Sequence, residues 1–255
     1  MEFRPCIDIH NGKVKQIIGS TLRDEGDVAG ENFVSERDST YYANLYREYG
    51  LSGGHVIILN HAGSEYYVSS KQQAVDALVA YPGGLMVGGG INADNAAEFL
   101  NAGASHVIAT SYVFSGGAIN MDNLKRLFDA TGGRLVLDLS CKKSDGRYLV
   151  ATDRWQKITD TVVDDKMFDR LSDYCDEYLV HAIDSEGRSS GVDEELIGLL
   201  AGSPRPVTYA GGVSSLDDIR LIREAGRNKV NFTVGSKLDI FGGNLRIEEI
   251  VECTR

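Results

Sequence analysis

Only four of the 255 residues are cysteine, Cys6, Cys141, Cys175 and Cys253, and no two of them form a CxxC pair. That scarcity excludes a disulfide framework and a zinc knuckle, and it fits reduced thiols. No apolar run reaches the ~18 residues that a spanning helix requires. The first residues enter the strand-like "FRPCIDI" without a signal-peptide apolar region, so a cytoplasmic protein is expected. Positive charge is in deficit, 26 Lys and Arg against 37 Asp and Glu, for a net charge of −11. A nucleic-acid or anionic-membrane surface needs a cationic face, so neither partner is expected. There is no GxxxxGK followed by Ser or Thr, no HExxH, and no cluster of His and Cys, so no metal or cofactor is expected.

What is present is alternation. Short β-branched runs alternate with helical patterns along the whole chain, which is how βα units build a parallel sheet. Eight runs stand out: "FRPCIDI", "HVIILN", "LMVGG", "HVIAT", "RLVLDLS", "EYLVHAI", "PVTYAG" and "KVNFTVG". Helix candidates such as "TYYANLYREYG" and "SSKQQAVDALVAY" lie between them. Eight parallel units in ~250 residues predict an α/β fold of (β/α)8 TIM-barrel type, one domain over 1–255. A monomer is expected.

The chain also repeats itself. "MVGGGINADNAAEFLNAGASHVIATS" is echoed by "TYAGGVSSLDDIRLIREAGRNKVNFTVGS", and "IDI" in the first strand by "LDL" in the fifth. Asp8 and Asp138 stand about half the chain apart, and so do Gly90 and Gly212. The expectation is a duplicated half-barrel, approximately 1–130 and 131–255. Two connections are far longer than the usual ~2 to 6 residues. They are "HNGKVKQIIGSTLRDEGDVAGENFVSERD" after the first strand and "SCKKSDGRYLVATDRWQKITDTVV" after the fifth, each a candidate lid.

"VGGGINA" fits a GxGxxA dinucleotide pattern only weakly, because no acidic residue follows at the expected distance. A phosphate cradle fits better. Gly89 and Gly90, and again Gly211 and Gly212, leave backbone N–H groups open to an anion. Thr110 and Ser111, and Gly235 and Ser236, stand at the next strand end, where a short helix start would add further donors. Two cradles half a barrel apart predict a small-molecule partner with a phosphate at each end.

Asp8 and Asp138 end opposing strands between the cradles, where one carboxylate suits a general base and the other a general acid. His181 ends the sixth strand and either contacts substrate or bonds a loop carbonyl. Trp155, the only tryptophan, is either a core residue or an aromatic face on a lid that stacks on a planar heterocycle.

With these residues assembled, the chain resembles the half-barrel family of histidine biosynthesis. Within it, the likeness is to the eukaryotic-type branch of the phosphoribosylformimino-aminoimidazole carboxamide ribotide isomerases. The resemblance covers nearly the whole chain and rests on "RPCIDIHNGKVKQ", "YPGGLMVGGGIN", "LVLDLSCKK", "TDRWQK", "YCDEYLVHAIDSEG", "VTYAGGV" and "TVGSKLDIFGG". It implies a cofactor-free Amadori rearrangement of an aminoaldose to an aminoketose. Asp8 would be the general base at C2 and Asp138 the general acid of ring opening, with Trp155 near the aminoimidazole. The bacterial form has Arg where this chain has Asn92, Gly at Ala109, and an Asp-Gly pair at Glu186-Gly187, so Glu186 stands in for that acidic residue. The cyclase subunit of imidazole glycerol phosphate synthase, a dual-substrate isomerase that also serves tryptophan synthesis, and a non-catalytic phosphosugar-binding barrel are the alternative readings.

Overall fold

The computed structural model describes every residue except 116, 153, 154, 156, 186–190 and 255, and of residues 19 and 20 the backbone only. Eight strands follow the eight runs read above: β1 (Cys6–His10), β2 (Gly54–Ile58), β3 (Leu85–Gly88), β4 (Val107–Ala109), β5 (Leu135–Asp138), β6 (Glu177–His181), β7 (Val207–Ala210) and β8 (Val230–Phe232). They pair in parallel and in chain order within one sheet. The sheet curls until β8 meets the residues ahead of β1. The Arg4 amide donates to the Phe232 carbonyl at 2.8 Å and the Phe232 amide to the Glu2 carbonyl at 3.1 Å, around a parallel Phe3–Phe232 bridge. The architecture is mixed α/β of the TIM-barrel type.

Period-two alternation decides which way each strand faces. Ile7, Ile9, Val56, Ile58, Val87 and Val107 point outward and are buried under helices. Met86, Ile108, Val136, Leu179 and Ala210 point inward and close the barrel interior against Ile57. Below this layer Arg4 pairs with Glu177, which also accepts the Thr208 hydroxyl at 2.6 Å, so the floor is polar and its opposite charges are paired.

The helices are α1 (Ser39–Glu48), α2 (Tyr67–Ala80), α3 (Ala96–Asn101), α4 (Met121–Thr131), α5 (Asp165–Leu171), α6 (Glu194–Leu200), α7 (Leu216–Ala225) and α8 (Ile247–Thr254). Five start on a side chain that accepts a first-turn amide: Asp38, Asn120, Asp164, Asp193 and Ser215. Such caps satisfy amides that have no partner inside the helix. None of the helices among the described residues is long and apolar enough to cross a membrane.

The two long connections are strands rather than loops. After β1, Lys13–Arg23 and Val28–Val34 form an antiparallel hairpin that extends the main sheet through Ile9–Val14 and His10–Lys13 pairing. After β5, Cys141–Ser144, Arg147–Thr152 and Lys157–Val162 form a separate three-stranded antiparallel sheet. Its first turn is Asp145-Gly146, both at positive φ (48° and 73°), the backbone that a tight hairpin demands.

Candidate active site

The strand ends and the two ribbons enclose one open cavity of about 1220 Å³. That is more than the roughly 300–1,000 Å³ that a drug-sized ligand occupies, and suits a longer molecule. Asp8, Asp138, Gly89, Gly90, Thr110, Ser111, Gly211, Gly212, Gly235, Ser236, Trp155 and His181 all line it. Of the residues singled out in the sequence, Glu186 lies outside the described residues.

The glycine turns repeat in backbone as well as in sequence. Gly89 and Gly90 have φ of 104° and 69°, and Gly211 and Gly212 have 122° and 73°. A Cβ at Gly89 would lie 2.1 Å from the Ile58 carbonyl oxygen, and one at Gly211 would lie 2.9 Å from that of Ala182. The first glycine of each pair is therefore demanded by the neighbouring strand. The second differs: a Cβ on Gly90 would meet nothing within 4 Å, whereas one on Gly212 would lie 2.3 Å from the Gly191 carbonyl oxygen.

The surroundings of the two turns also differ. The Asn95 side chain donates to the Gly90 carbonyl at 3.0 Å. In the second copy Asp218 accepts the Ser214 amide at 2.8 Å and the hydroxyls of Ser214 and Ser215, each at 2.9 Å, so the start of α7 already holds a carboxylate. Open backbone for an anion there falls to the glycines and to Gly235-Ser236, beside Lys237. Lys237 is the sole Lys or Arg among the described residues lining the cavity.

The helix starts expected at the next strand ends are corrected. After β4 the chain makes a turn, with the Val113 and Phe114 amides donating to the Thr110 carbonyl at 3.0 and 2.9 Å, and then a short hairpin of Phe114–Ser115 with Ala118–Ile119. After β8 the Leu238 amide turns back to Gly235 at 3.0 Å, and a single 3-10 turn begins at Asp239. The apolar pairs Val113-Phe114 and Ile240-Phe241 pack against the core, and neither segment continues beyond a single turn.

Asp8 on β1 and Asp138 on β5 stand four strands apart whichever way the eight are counted. Asp138 accepts the Ser140 amide at 2.9 Å, the Ser140 hydroxyl at 2.8 Å and the Thr110 hydroxyl at 3.1 Å. His181 Nδ1 lies 3.8 Å from its Oδ1. Burial pushes the Asp138 pKa up, but His181 and the Ser140 donors outweigh it and leave the carboxyl below its ordinary value. The Thr110 hydroxyl thus serves Asp138 rather than pointing only at a cradle. Trp155 packs its ring 6.0 Å from the His181 ring at 47°, on a backbone with φ of 67°. Such left-handed geometry in a bulky residue is rare outside constrained sites.

A family model described as "Histidine biosynthesis protein" matches residues 2–238. The chain belongs to that family. Its relatives include a chloroplastic 1-(5-phosphoribosyl)-5-((5-phosphoribosylamino)methylideneamino)imidazole-4-carboxamide isomerase of Medicago truncatula. The two are 53% identical over 98% of this chain and 81% of that protein. Proteins named as the same isomerase in Neurospora crassa and Saccharomyces cerevisiae are each 44% identical. The first alignment spans 99% of this chain and 98% of its relative, the second 96% and 94%.

In this histidine biosynthesis protein Gln16, Ser140 and His55 are among the cavity residues that went unread in the sequence, as is Lys237. Gln16 is buried, its Nε2 reaches Cys6 Sγ at 3.8 Å, and a Cβ on Gly235 would lie 2.8 Å from its Oε1. Nothing in "KVKQII", which already carries two lysines, set Gln16 apart. Ser140, two residues past Asp138 in "LDLS", is placed by that spacing to donate back to the carboxylate. His55 sits inside the barrel with its pKa pushed down to about 3, by burial first and then by His181.

Proposed function

We propose that the protein is an aldose-ketose isomerase of histidine biosynthesis. It converts the phosphoribosylformimino-aminoimidazole carboxamide ribotide to its ribulosyl isomer by an Amadori rearrangement. One observation carries the reading: in a chain 53% identical to a protein named for that isomerase, opposed carboxylates and two glycine turns of matching φ face a single cavity. The matched turns also support a duplicated half-barrel origin, 1–130 and 131–255, within one domain.

On this reading each phosphate of the substrate rests on one cradle, which stretches the molecule across the barrel mouth. Gly89-Gly90 with Ser111 takes one end, and Gly211-Gly212 with Gly235-Ser236 and Lys237 takes the other. Backbone amides and one lysine suffice for dianions in a protein of net negative charge, because the donors act locally. Holding both ends fixes the reacting carbons between Asp8 and the Asp138 corner, and orientation of that kind lowers the barrier without a cofactor. Asp8 removes the C2 proton, while the Asp138 corner supplies the proton that opens the ribose ring. Trp155 stacks on the aminoimidazole, and Glu186 is the remaining acidic contact carried over from the family. The protein works as a cytoplasmic monomer.

The test is turnover of the purified protein on the aminoaldose, with no metal, ammonia or glutaminase added. Formation of the ribulosyl compound is the expected result. Unchanged aminoaldose, with the ribulosyl compound cyclised once ammonia is supplied, would replace this reading with the cyclase. Tight binding of both compounds without conversion would replace it with a phosphosugar-binding barrel.

A further inference from the structure

The ribbon after β5 carries Trp155 at its second turn and is tethered near its first. Close to the Asp145-Gly146 turn Tyr148 is buried, and its hydroxyl donates to Asp193, at 2.8 Å from Oδ1 and 3.0 Å from Oδ2. Burial first, and then the Asp193 carboxylate, push the Tyr148 pKa up, so the hydroxyl keeps the proton it donates. Lys143, opposite Tyr148 on the next strand, adds an amide bond to Asp184 at 3.0 Å and an ion pair with Glu195 at 2.5 Å. That ion pair is solvent-exposed and contributes little. The buried tether is Tyr148.

Asp193 is more than the end of this tether. Its Oδ1 accepts the Leu196 amide at 3.0 Å and starts α6, and its own amide donates to the Tyr209 hydroxyl at 3.0 Å. Tyr209 is fully buried on β7, two residues ahead of Gly211. Two residues ahead of Asp193, the Gly191 carbonyl oxygen lies against Gly212, 2.3 Å from where a Cβ would stand. Capping a helix takes one side-chain oxygen, which serine or asparagine supplies as well. The Asp193 carboxylate caps α6 and holds the ribbon, while its amide ties the same residue to β7.

We propose that Tyr148 and Asp193 are positioning residues of the isomerisation, and that the bond between them holds the ribbon bearing Trp155 in register with the Gly211-Gly212 cradle. This deepens the isomerase reading and rests on it. Neither residue is among the described residues lining the cavity, so both act through others. On one side is Trp155, against the His181 ring; on the other is Gly191, against Gly212. The ribbon also reaches the acid: the Ala151 amide donates to the Ser140 carbonyl at 2.7 Å, and the Ser140 hydroxyl donates to Asp138 at 2.8 Å. A substrate that meets an aromatic face and a phosphate cradle at once is sensitive to the distance between them. A misplacement of about 1 Å is enough to cost ~10²-fold in rate.

The experiment compares wild type with Tyr148→Phe, Asp193→Ser, Asp193→Asn and the double variant Tyr148→Phe/Asp193→Ser, each verified as folded by near-ultraviolet circular dichroism. Phenylalanine keeps the ring and removes the donor. Serine keeps the cap but is too short to reach Tyr148, whereas asparagine keeps the cap and an acceptor oxygen. Steady-state kinetics on the aminoaldose give kcat and KM. Acrylamide quenching of fluorescence without substrate reports Trp155 alone, because the chain has one tryptophan.

Tyr148→Phe and Asp193→Ser are each expected to lose ~10–10²-fold in kcat/KM, with kcat lowered and KM raised, and to open Trp155 to the quencher. The double variant should lose no more than either single one, since both remove the same bond. Asp193→Asn should recover most of the loss. Native kcat/KM, or native quenching, in folded Tyr148→Phe or Asp193→Ser would overturn the proposal. So would a loss in Asp193→Asn equal to that in Asp193→Ser, a comparison that holds even where Tyr148→Phe fails to fold. Absence of turnover in wild type would count against the isomerase reading, and the quenching comparison would still judge the tether.

Discussion

Gly89 and Gly90 are neighbours in the chain with opposite surroundings, and substitution at each reports a different quantity. Gly89→Ala would drive a Cβ into the Ile58 carbonyl at φ of 104°, so a loss of more than about 2 kcal/mol in denaturant unfolding is expected. Gly90→Ala meets no protein atom and carries only the left-handed backbone penalty of about 1 kcal/mol. Its methyl would instead face an anion in the cradle, so the expected result is a raised KM at nearly native stability. The glycines were legible in the sequence. Their division of labour was not, because it depends on β2, which lies about thirty residues earlier in the chain.

His55 makes a separate prediction at the same scale. Its folded pKa of about 3 lies below the ordinary histidine value of 6.5, so the unfolded chain binds more protons between those values. Stability is therefore complete above about pH 6.5 and declines as the pH falls toward 3, by up to about 1.4 kcal/mol per pH unit from this group. Urea unfolding of wild type and His55→Gln at successive pH values should show the slope flattened in the variant.

Among the elements, the hairpin after β1 is the one whose attachment matters most to the cavity. Its strands supply Gln16, Ile18, Leu22 and Asn32 to the lining. Asn60, buried at the end of β2, donates to Asn11 Oδ1 at 2.8 Å and to Asp27 Oδ1 at 3.0 Å, while the Ser64 hydroxyl donates to Asp27 Oδ2 at 2.8 Å. Asn60 Oδ1 also accepts the Asn11 amide at 2.8 Å and the Ser70 hydroxyl at 2.7 Å. Asn60→Ala is expected to speed amide hydrogen exchange in residues 13–34, leave the barrel strands protected, and raise KM. Equal acceleration everywhere would contradict a local latch. Burial pushes the Asp27 pKa up, but the bonds from Ser64 and Asn60 and the charges of His61 and His10 hold it below the ordinary carboxylate value. The latch is thus intact above about pH 4 and is lost as pH falls through the lowered value.

The eight barrel strands were readable because β-branched runs recur between helical patterns. The ribbons were read as loops because their strands lack a sustained period-two alternation, as in "KVKQIIGSTLR", where Val14, Lys15 and Gln16 are buried in succession. The Asp145-Gly146 turn was a usable hairpin signal that the length of the connection obscured.

At the scale of the whole molecule, the claim is that a curled parallel sheet sets two anion sites on either side of a pair of carboxylates. The order of the strands makes this possible: β1 and β5 oppose each other, and the turns after β3 and β7 oppose each other across the same mouth. The doubling was visible in the sequence. The asymmetry was not, since Asp218 at the start of α7 and Gly191 over Gly212 come from packing that the echo does not encode. The most direct measurement is a ³¹P NMR titration of the aminoaldose with Asp8→Asn protein, which should bind the substrate without converting it. The account predicts that both phosphate resonances shift on binding and that no ribulosyl product forms. A shift in only one resonance, or product formation at the wild-type rate, would contradict it.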